Sequence, residues 1–145
     1  MKYYFGTLIV LVALMQLIRI DLPQKPADWT SAREIKAPEK IMALLKRSCY
    51  DCHSYEYRLP WYGYIAPVSW EVRRHIKNGT KWLNFQEWNT YSDEKKQNIY
   101  RGIVKTIDFR MPMPMYLKMH EEARLSREER DAIKAWAQQY VKEAY

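Results

Sequence analysis

Two cysteines and a histidine stand close together in the string Cys49-Tyr50-Asp51-Cys52-His53. Thiols separated by two residues can add to the two vinyl groups on adjacent pyrroles of a porphyrin. A histidine directly after the second thiol is then held beneath the iron, where an imidazole nitrogen can bind the metal. The spacing therefore predicts one covalent haem c, attached at Cys49 and Cys52, with His53 as an axial ligand of the iron.

The same string has three other chemical interpretations. The two thiols could form a disulfide in an oxidising compartment, or a thioredoxin-like redox pair, although the latter needs a βαβ context that the sequence does not predict. A zinc site would need two ligands beyond the cysteines, and the chain has only His53, His75 and His120 to supply them. Haem attachment is favoured because it uses both thiols and the adjacent histidine.

A proline-rich segment, residues 111–120, could supply the second axial ligand. Its candidates are Met111, Met113, Met115, Met119 and His120. A thioether is soft and neutral, so it favours Fe(II) and raises the reduction potential of an electron-transfer haem. Methionines are also flexible core residues, so at most one of the four binds the iron. His75 and His120 are more typical of hydrogen-bonding histidines than of ligands.

The first twenty residues carry an apolar run from Tyr3 to Ile18, interrupted only by Gln16. Its length and the absence of a small-residue cleavage site predict an uncleaved transmembrane anchor helix over residues 1–20. With Lys2 on the inner side, the rest of the chain would lie in the periplasm of a bacterium. A cleaved secretory signal is the alternative.

The remaining pattern predicts a linker over residues 21–36 and an all-α domain over residues 37–145, because helical periodicity occurs without alternating strand patterns. Pro38 begins a helix that leads into Cys49, and a second helix from Pro67 to Ile76 is closed by Asn78-Gly79. Ser92 caps a helix over residues 93–108. A capping box at Ser126–Glu129 precedes a helix over the rest of the chain.

The formal net charge of +7 is spread along the chain rather than concentrated in a stripe. We find neither a dense basic patch nor a base-reading motif, so nucleic-acid binding is not predicted. The basic excess favours an anionic membrane surface, an acidic partner or the haem propionates. The candidate neighbours of those propionates are Arg58, Arg73, Arg74, Trp61 and Trp70.

These motifs together resemble the small haem-binding domain family of bacterial membrane-anchored cytochromes. The shared motifs are CYDCHS (49–54), PWY (60–62), IAPVSW (65–70), His75, LNFQEW (83–88), MP (111–112), Tyr116, His120, ARLS (123–126) and Trp136. The resemblance implies a class I-like cytochrome c domain around one haem, and it makes Met111 the best candidate for the sixth ligand. Asp108-Phe109-Arg110 stands where the family often has a Gly-Glu pair, and Met113-Pro114 is a second M-P pair.

The residues and the resemblance predict a membrane-anchored, extracytoplasmic monohaem cytochrome that carries single electrons between redox proteins and is not an enzyme. The donor and acceptor are not specified by the sequence. One alternative is a haem enzyme or sensor that handles peroxide or a diatomic gas. Another is a haem subunit that supports a larger membrane complex.

Overall fold

A computed structural model describes residues 2–142 of the chain. This part is all-α, with no strand among the described residues, which confirms the predicted class of secondary structure. The α-helices are α1 (Lys2–Met15), α2 (Glu39–Ser48), α3 (Tyr50–His53), α4 (Val68–Trp82), α5 (Asp93–Thr106), α6 (Pro114–Leu117) and α7 (Arg127–Gln138). Short 3-10 helices cover Ser31–Arg33, Trp61–Tyr64, Phe85–Thr90 and Glu121–Ala123.

The prediction of a membrane-spanning anchor helix over residues 1–20 is wrong. Helix α1 has 14 residues, so it is roughly 21 Å long, whereas the hydrocarbon core of a bilayer is roughly 30 Å thick. No helix within residues 2–142 has the length and apolar character needed to cross a membrane. The predicted location, an inner membrane with the domain in the periplasm, rested on this anchor and is corrected with it. Met1 lies outside the described residues.

Helix α1 ends where the chain begins to follow the surface of the fold. The side chain of Gln16 accepts a hydrogen bond from the N–H of Ala66 at 2.9 Å and donates to the Ala66 carbonyl at 3.3 Å. The indole N–H of Trp70 donates to the carbonyl of Ile18 at 2.8 Å. These bonds direct the residues after Met15 along the globular part instead of extending the helix.

The predicted helix starts at Ser92 and Ser126 are confirmed. The Ser92 hydroxyl accepts from the N–H of Lys95 at 3.2 Å at the start of α5. At the start of α7, Ser126 and Glu129 form the complete reciprocal capping box. The helix after Ser126 was predicted to run to the chain end, but α7 ends at Gln138, and residues 143–145 lie outside the described part. Helix α5 ends two residues before the predicted boundary.

Helix α4 is longer than its sequence pattern predicts, because Gly79 lies inside it instead of ending it. The reason is a close approach between two elements. A Cβ atom at Gly79 would lie 2.5 Å from the carbonyl oxygen of Cys52, closer than side-chain carbons come to a backbone oxygen. The glycine therefore lets α4 pack directly on α3.

The core lies between α2, α5, α7 and the 3-10 helix Phe85–Thr90. Its central side chains are Leu45, Phe85, Ile99 and Ile133. Ile35, from the segment predicted to be a linker, is buried with them, and its N–H donates to the Phe85 carbonyl at 2.9 Å. This core forms the support for the one-turn helix α3, which carries the Cys-x-x-Cys-His string.

Candidate functional site

Helix α3 is a single turn that follows α2 after one residue, Cys49. The N–H of Cys49 donates to the Leu45 carbonyl at 2.8 Å, and the N–H groups of Cys52 and His53 both donate to the Cys49 carbonyl, at 3.1 and 3.0 Å. These hydrogen bonds hold Cys49, Cys52 and His53 in one compact turn. All three side chains line a single cavity of about 260 Å³.

His53 is oriented by two carbonyl groups. Its Nδ1 lies 3.1 Å from the carbonyl oxygens of both Gly79 and Leu83, at the end of α4. Nδ1 is therefore the protonated nitrogen, and Nε2 carries the free lone pair that a metal can accept. Burial lowers the pKa of His53, opposed by its two backbone hydrogen bonds, so the neutral form is favoured. This is the protonation state that metal binding through Nε2 requires.

The two thiols do not have the properties of a redox dithiol. Both cysteines are free. Burial, followed by the neighbouring Cys52, raises the pKa of the Cys49 thiol to about 12. Burial, followed by the charge of Asp51, raises the pKa of the Cys52 thiol to about 11. A thioredoxin-like pair needs a lowered pKa, and no cluster of three metal-binding side chains occurs within residues 2–142. The disulfide, redox-pair and zinc interpretations therefore gain no support.

Met111 shares more cavities with His53 than the other methionines of its segment do. It lines the 260 Å³ cavity and also an adjoining cavity of about 230 Å³, and His53 and Cys49 line both as well. Met113 shares only the first of these with His53. Met115 and Met119 line a third cavity of about 770 Å³, which His53 does not reach.

The cavities fit a haem. The 230 Å³ cavity has apolar walls from the core, including Leu45, Phe85 and Ile133, which is the environment a porphyrin ring needs. The hydroxyl of Ser48 is buried in the wall of the 260 Å³ cavity and has no hydrogen-bond partner among the described residues. This is expected of a polar atom whose partner is not part of the polypeptide. The walls also bring an imidazole and a thioether, which can ligate iron, and two thiols to the same space.

The two other histidines are occupied by hydrogen bonds. His75 Nε2 lies 2.7 Å from a carboxylate oxygen of Glu71. His120 Nε2 lies 2.9 Å from the hydroxyl of Tyr62, and its Nδ1 lies 3.2 Å from Glu122. These partners are consistent with hydrogen-bonding roles. His75 lines the 260 Å³ cavity with His53, whereas Met111 lines both of the cavities that His53 lines.

The candidate propionate neighbours are divided by the structure. Arg58 and Trp61 line the 770 Å³ cavity beside Cys52. Arg73 donates to the carbonyl groups of Gly63 and Ile20, at 3.3 and 3.2 Å. The remaining two also bind elsewhere, Arg74 to Glu71 and Trp70 to Ile18. Of the five, Arg58 and Trp61 are the two that line a described cavity together with Cys52.

Sequence reasoning missed a polar network directly beside the thiols. Asp51, between the two cysteines, accepts from the backbone N–H of Arg58 at 3.1 Å and from its guanidinium at 3.2 Å. It also accepts from the hydroxyl of Tyr116 at 2.7 Å. The sequence contained one signal, the acidic Asp51 between the two cysteines. No pattern in it identified Arg58 and Tyr116 as the partners of that carboxylate.

A family model described as a haem-binding domain matches residues 10–139 of the chain. No curated protein and no solved structure matches the chain significantly. The matched range includes the Cys-x-x-Cys-His turn, the methionine segment and all of the helices that enclose the cavities. The chain therefore belongs to the haem-binding domain family.

Proposed function

We propose that this protein carries one haem c, attached covalently through Cys49 and Cys52, with His53 and Met111 as axial ligands. In this function it passes single electrons between redox proteins. The observation that carries the proposal is that all four side chains line one cavity, although Met111 lies more than fifty residues along the chain from the others. Family membership supports the haem, and the residues beside the cavity support its mode of attachment.

Each residue of the site has a role that follows from its contacts. When bound, the haem supplies the one-electron couple of its iron. The Gly79 and Leu83 carbonyls hold the His53 ring, so the ligand need not reorient between oxidation states. The apolar walls from Leu45 and Phe85 exclude water. Few polar groups around the haem then have to reorient when the iron gains or loses one electron.

A route for electron exchange is present where the methionine segment meets the surface. The Met111 side chain is 36% exposed, and its neighbour Phe109 is 83% exposed. Met111 therefore both lines the cavities and contributes to the surface. A redox protein that docks over Phe109 and Met111 would come within a short distance of the group in the cavity, which single-electron exchange requires.

The experiment that tests this function combines a gel with spectra of the purified protein. After denaturing electrophoresis, a haem peroxidase stain should remain on the polypeptide, because thioether bonds survive denaturation. Absorption spectra in both oxidation states should be low-spin and unchanged by carbon monoxide, because Met111 fills the sixth position. Colour that leaves the polypeptide on denaturation would contradict covalent attachment. Carbon monoxide binding by the unmodified protein would indicate a gas-binding or peroxide-handling haem instead.

A further inference from the structure

Asp51 is a buried carboxylate whose two oxygen atoms are held by different partners. It is 7% exposed and lies between the two cysteines. Oδ1 accepts from the backbone N–H and Nε of Arg58, at 3.1 and 3.2 Å. Oδ2 accepts from the hydroxyl of Tyr116 at 2.7 Å and has a longer contact of 3.4 Å with the Arg58 guanidinium. The short bond to Oδ2 therefore comes from Tyr116.

Tyr116 belongs to the segment that carries the methionines. It lies in α6, three residues after Met113, and lines both the 260 Å³ and the 770 Å³ cavities. Its ring stacks on His120, with centroids 4.3 Å apart and planes 14° apart. His120 is in turn bonded to the hydroxyl of Tyr62 at 2.9 Å. The ring is thus fixed on one face while its hydroxyl points at Asp51.

At its upstream end the methionine segment is attached through a single backbone group. The Thr106 carbonyl, at the end of α5, accepts from the N–H groups of Phe109, Arg110 and Met111, at 3.2, 2.8 and 3.1 Å. Three donors share one acceptor there, so each bond is weaker than an unshared one. The hydrogen bond of Tyr116 to Asp51 joins α6, in the middle of the same segment, directly to α3.

We propose that Tyr116 is a positioning residue of the haem site, because its hydrogen bond to Asp51 holds Met111 in place for ligation. This inference rests on the proposed function. The bond connects the segment that carries the sixth ligand to the helix that carries both thioether attachments and the fifth ligand. It therefore sets the separation of the two ligand-bearing segments at the point where neither is otherwise bonded to the other.

Loss of the hydroxyl would act through the carboxylate. In Tyr116→Phe, Oδ2 of Asp51 would retain only the 3.4 Å contact with Arg58, which is at the edge of hydrogen-bonding distance. A buried carboxylate oxygen without a close donor draws in water, and hydrogen bonds to charged groups are the strong ones. Water would then enter between α3 and α6, and the methionine segment would move away from the iron more easily.

The test is a titration of the purified ferric holoprotein with imidazole, which competes with the methionine for the iron. The far-red charge-transfer band of thioether ligation reports the loss of methionine. Tyr116→Phe should raise the apparent imidazole affinity by about tenfold or more, and it should weaken the far-red band before any imidazole is added. The matched control is Tyr55→Phe, which removes a tyrosine bond to the carboxylate of Glu87, 3.2 Å long, away from the cavities. It should leave both readouts unchanged.

The outcomes separate this inference from the proposed function. If the unmodified protein carries no covalent haem, or has no far-red band, the proposed function or its sixth ligand fails before Tyr116 is considered. If the band is present and Tyr116→Phe titrates like Tyr55→Phe, the positioning role is overturned while the proposed function stands. Equal denaturation midpoints for the two variants with different imidazole affinities would separate positioning from a general loss of stability. If Tyr116→Phe does not accumulate as holoprotein, Asp51→Asn should show the same gain in imidazole affinity, and no gain there overturns the role.

Discussion

Residues 49–53 are held by hydrogen bonds to α2 and α4, whereas the methionine segment, residues 111–119, is hydrogen-bonded to the rest of the fold mainly through the N–H of Met111 and the hydroxyl of Tyr116. The N–H of Cys49, just before α3, donates to the Leu45 carbonyl in α2. The ring of His53 is bonded to Gly79 in α4 and to Leu83 directly after it. The methionine segment has the shared Thr106 carbonyl and the hydroxyl of Tyr116. Met115 and Met119 along it are largely exposed.

This difference explains how one small domain can hold a haem permanently and still allow its sixth ligand to exchange. Thioether attachment and an oriented His53 need a rigid frame, since a misplaced sulfur or nitrogen cannot form its bond. A sixth ligand needs only enough restraint to stay on the iron. We therefore expect changes in residues 49–53 to decide whether haem is held at all, and changes in residues 111–119 to alter its ligand-exchange and redox properties.

The largest effect should come from removing the attachment points. Cys49→Ala with Cys52→Ala leaves no thiol for a thioether bond, so a haem peroxidase stain of a denaturing gel should show no colour on the polypeptide. Met115→Ala, a change in the methionine segment, should retain full colour because that side chain does not line a cavity with His53. Colour that persists on the double cysteine variant would show that attachment does not use these thiols.

The next largest effect should come from Met111→Ala. A soft neutral ligand that favours Fe(II) is lost, so the reduction potential should fall, by roughly 0.1–0.3 V within the roughly 0.8 V range that axial ligands cover. The far-red charge-transfer band should disappear, and the ferrous iron should bind carbon monoxide. Haem should stay on the polypeptide, since the cysteine side is unchanged.

Met113→Ala is the matched control for Met111→Ala, because it tests which of the two M-P pairs supplies the sixth ligand. It lies two residues away in a second M-P pair and shares one cavity with His53 rather than two. Its far-red band and potential should be close to those of the unmodified protein. A band lost in Met113→Ala but kept in Met111→Ala would move the sixth ligand by one M-P pair. A band unaffected by both would direct attention to His75 and His120.

A smaller effect is expected where α4 supports the cysteine side. Gly79→Ala places a Cβ 2.5 Å from the backbone oxygen of Cys52, so α4 or α3 must shift, at a cost of about 1–3 kcal/mol in the free energy of unfolding. The shift would also disturb the bond from His53 to the Gly79 carbonyl. Denaturant unfolding and haem content measure both effects. Gly6→Ala, where nothing lies within 4 Å, is the control and should lower neither, because alanine favours the helix at that position.

Gly79 also illustrates what a sequence reveals and what it conceals. Helical periodicity and capping residues are local, so the all-α class and the starts at Ser92 and Ser126 could be predicted. A glycine near a helix end looks like a terminator, and only the position of Cys52 from another element shows that it serves close packing instead. The apolar N-terminal run misled for a similar reason, because the contact of Gln16 with Ala66 is a long-range one.

The candidate site shows the same division between local and long-range information. Cys49, Cys52 and His53 could be chosen from spacing alone, because the chemistry acts within five residues. The choice among four methionines depended on a family resemblance, and the structure adds only which cavities each one lines. The partners of Asp51 lie 7 and 65 residues away, so no local pattern could identify Arg58 and Tyr116.

The smallest effect should come from the helix caps, which test whether stability and ligand exchange are separable. Ser126→Ala removes the capping box of α7, whose Ile133 lines the 230 Å³ cavity with His53. The free energy of unfolding should fall by about 1 kcal/mol, and the thermal midpoint by roughly 4 °C.

Ser92→Ala is the matched variant on α5, which ends at the Thr106 carbonyl. Ser92→Ala should lower the free energy of unfolding by less, because the Ser126 cap is completed by the carboxylate of Glu129 and the Ser92 cap is not. In both variants the far-red band and the imidazole affinity should stay unchanged, since neither Ser92 nor Ser126 lines a cavity with His53. A changed imidazole affinity in either variant would mean that global stability controls the sixth ligand, and the contrast between a fixed and an adjustable segment would not hold.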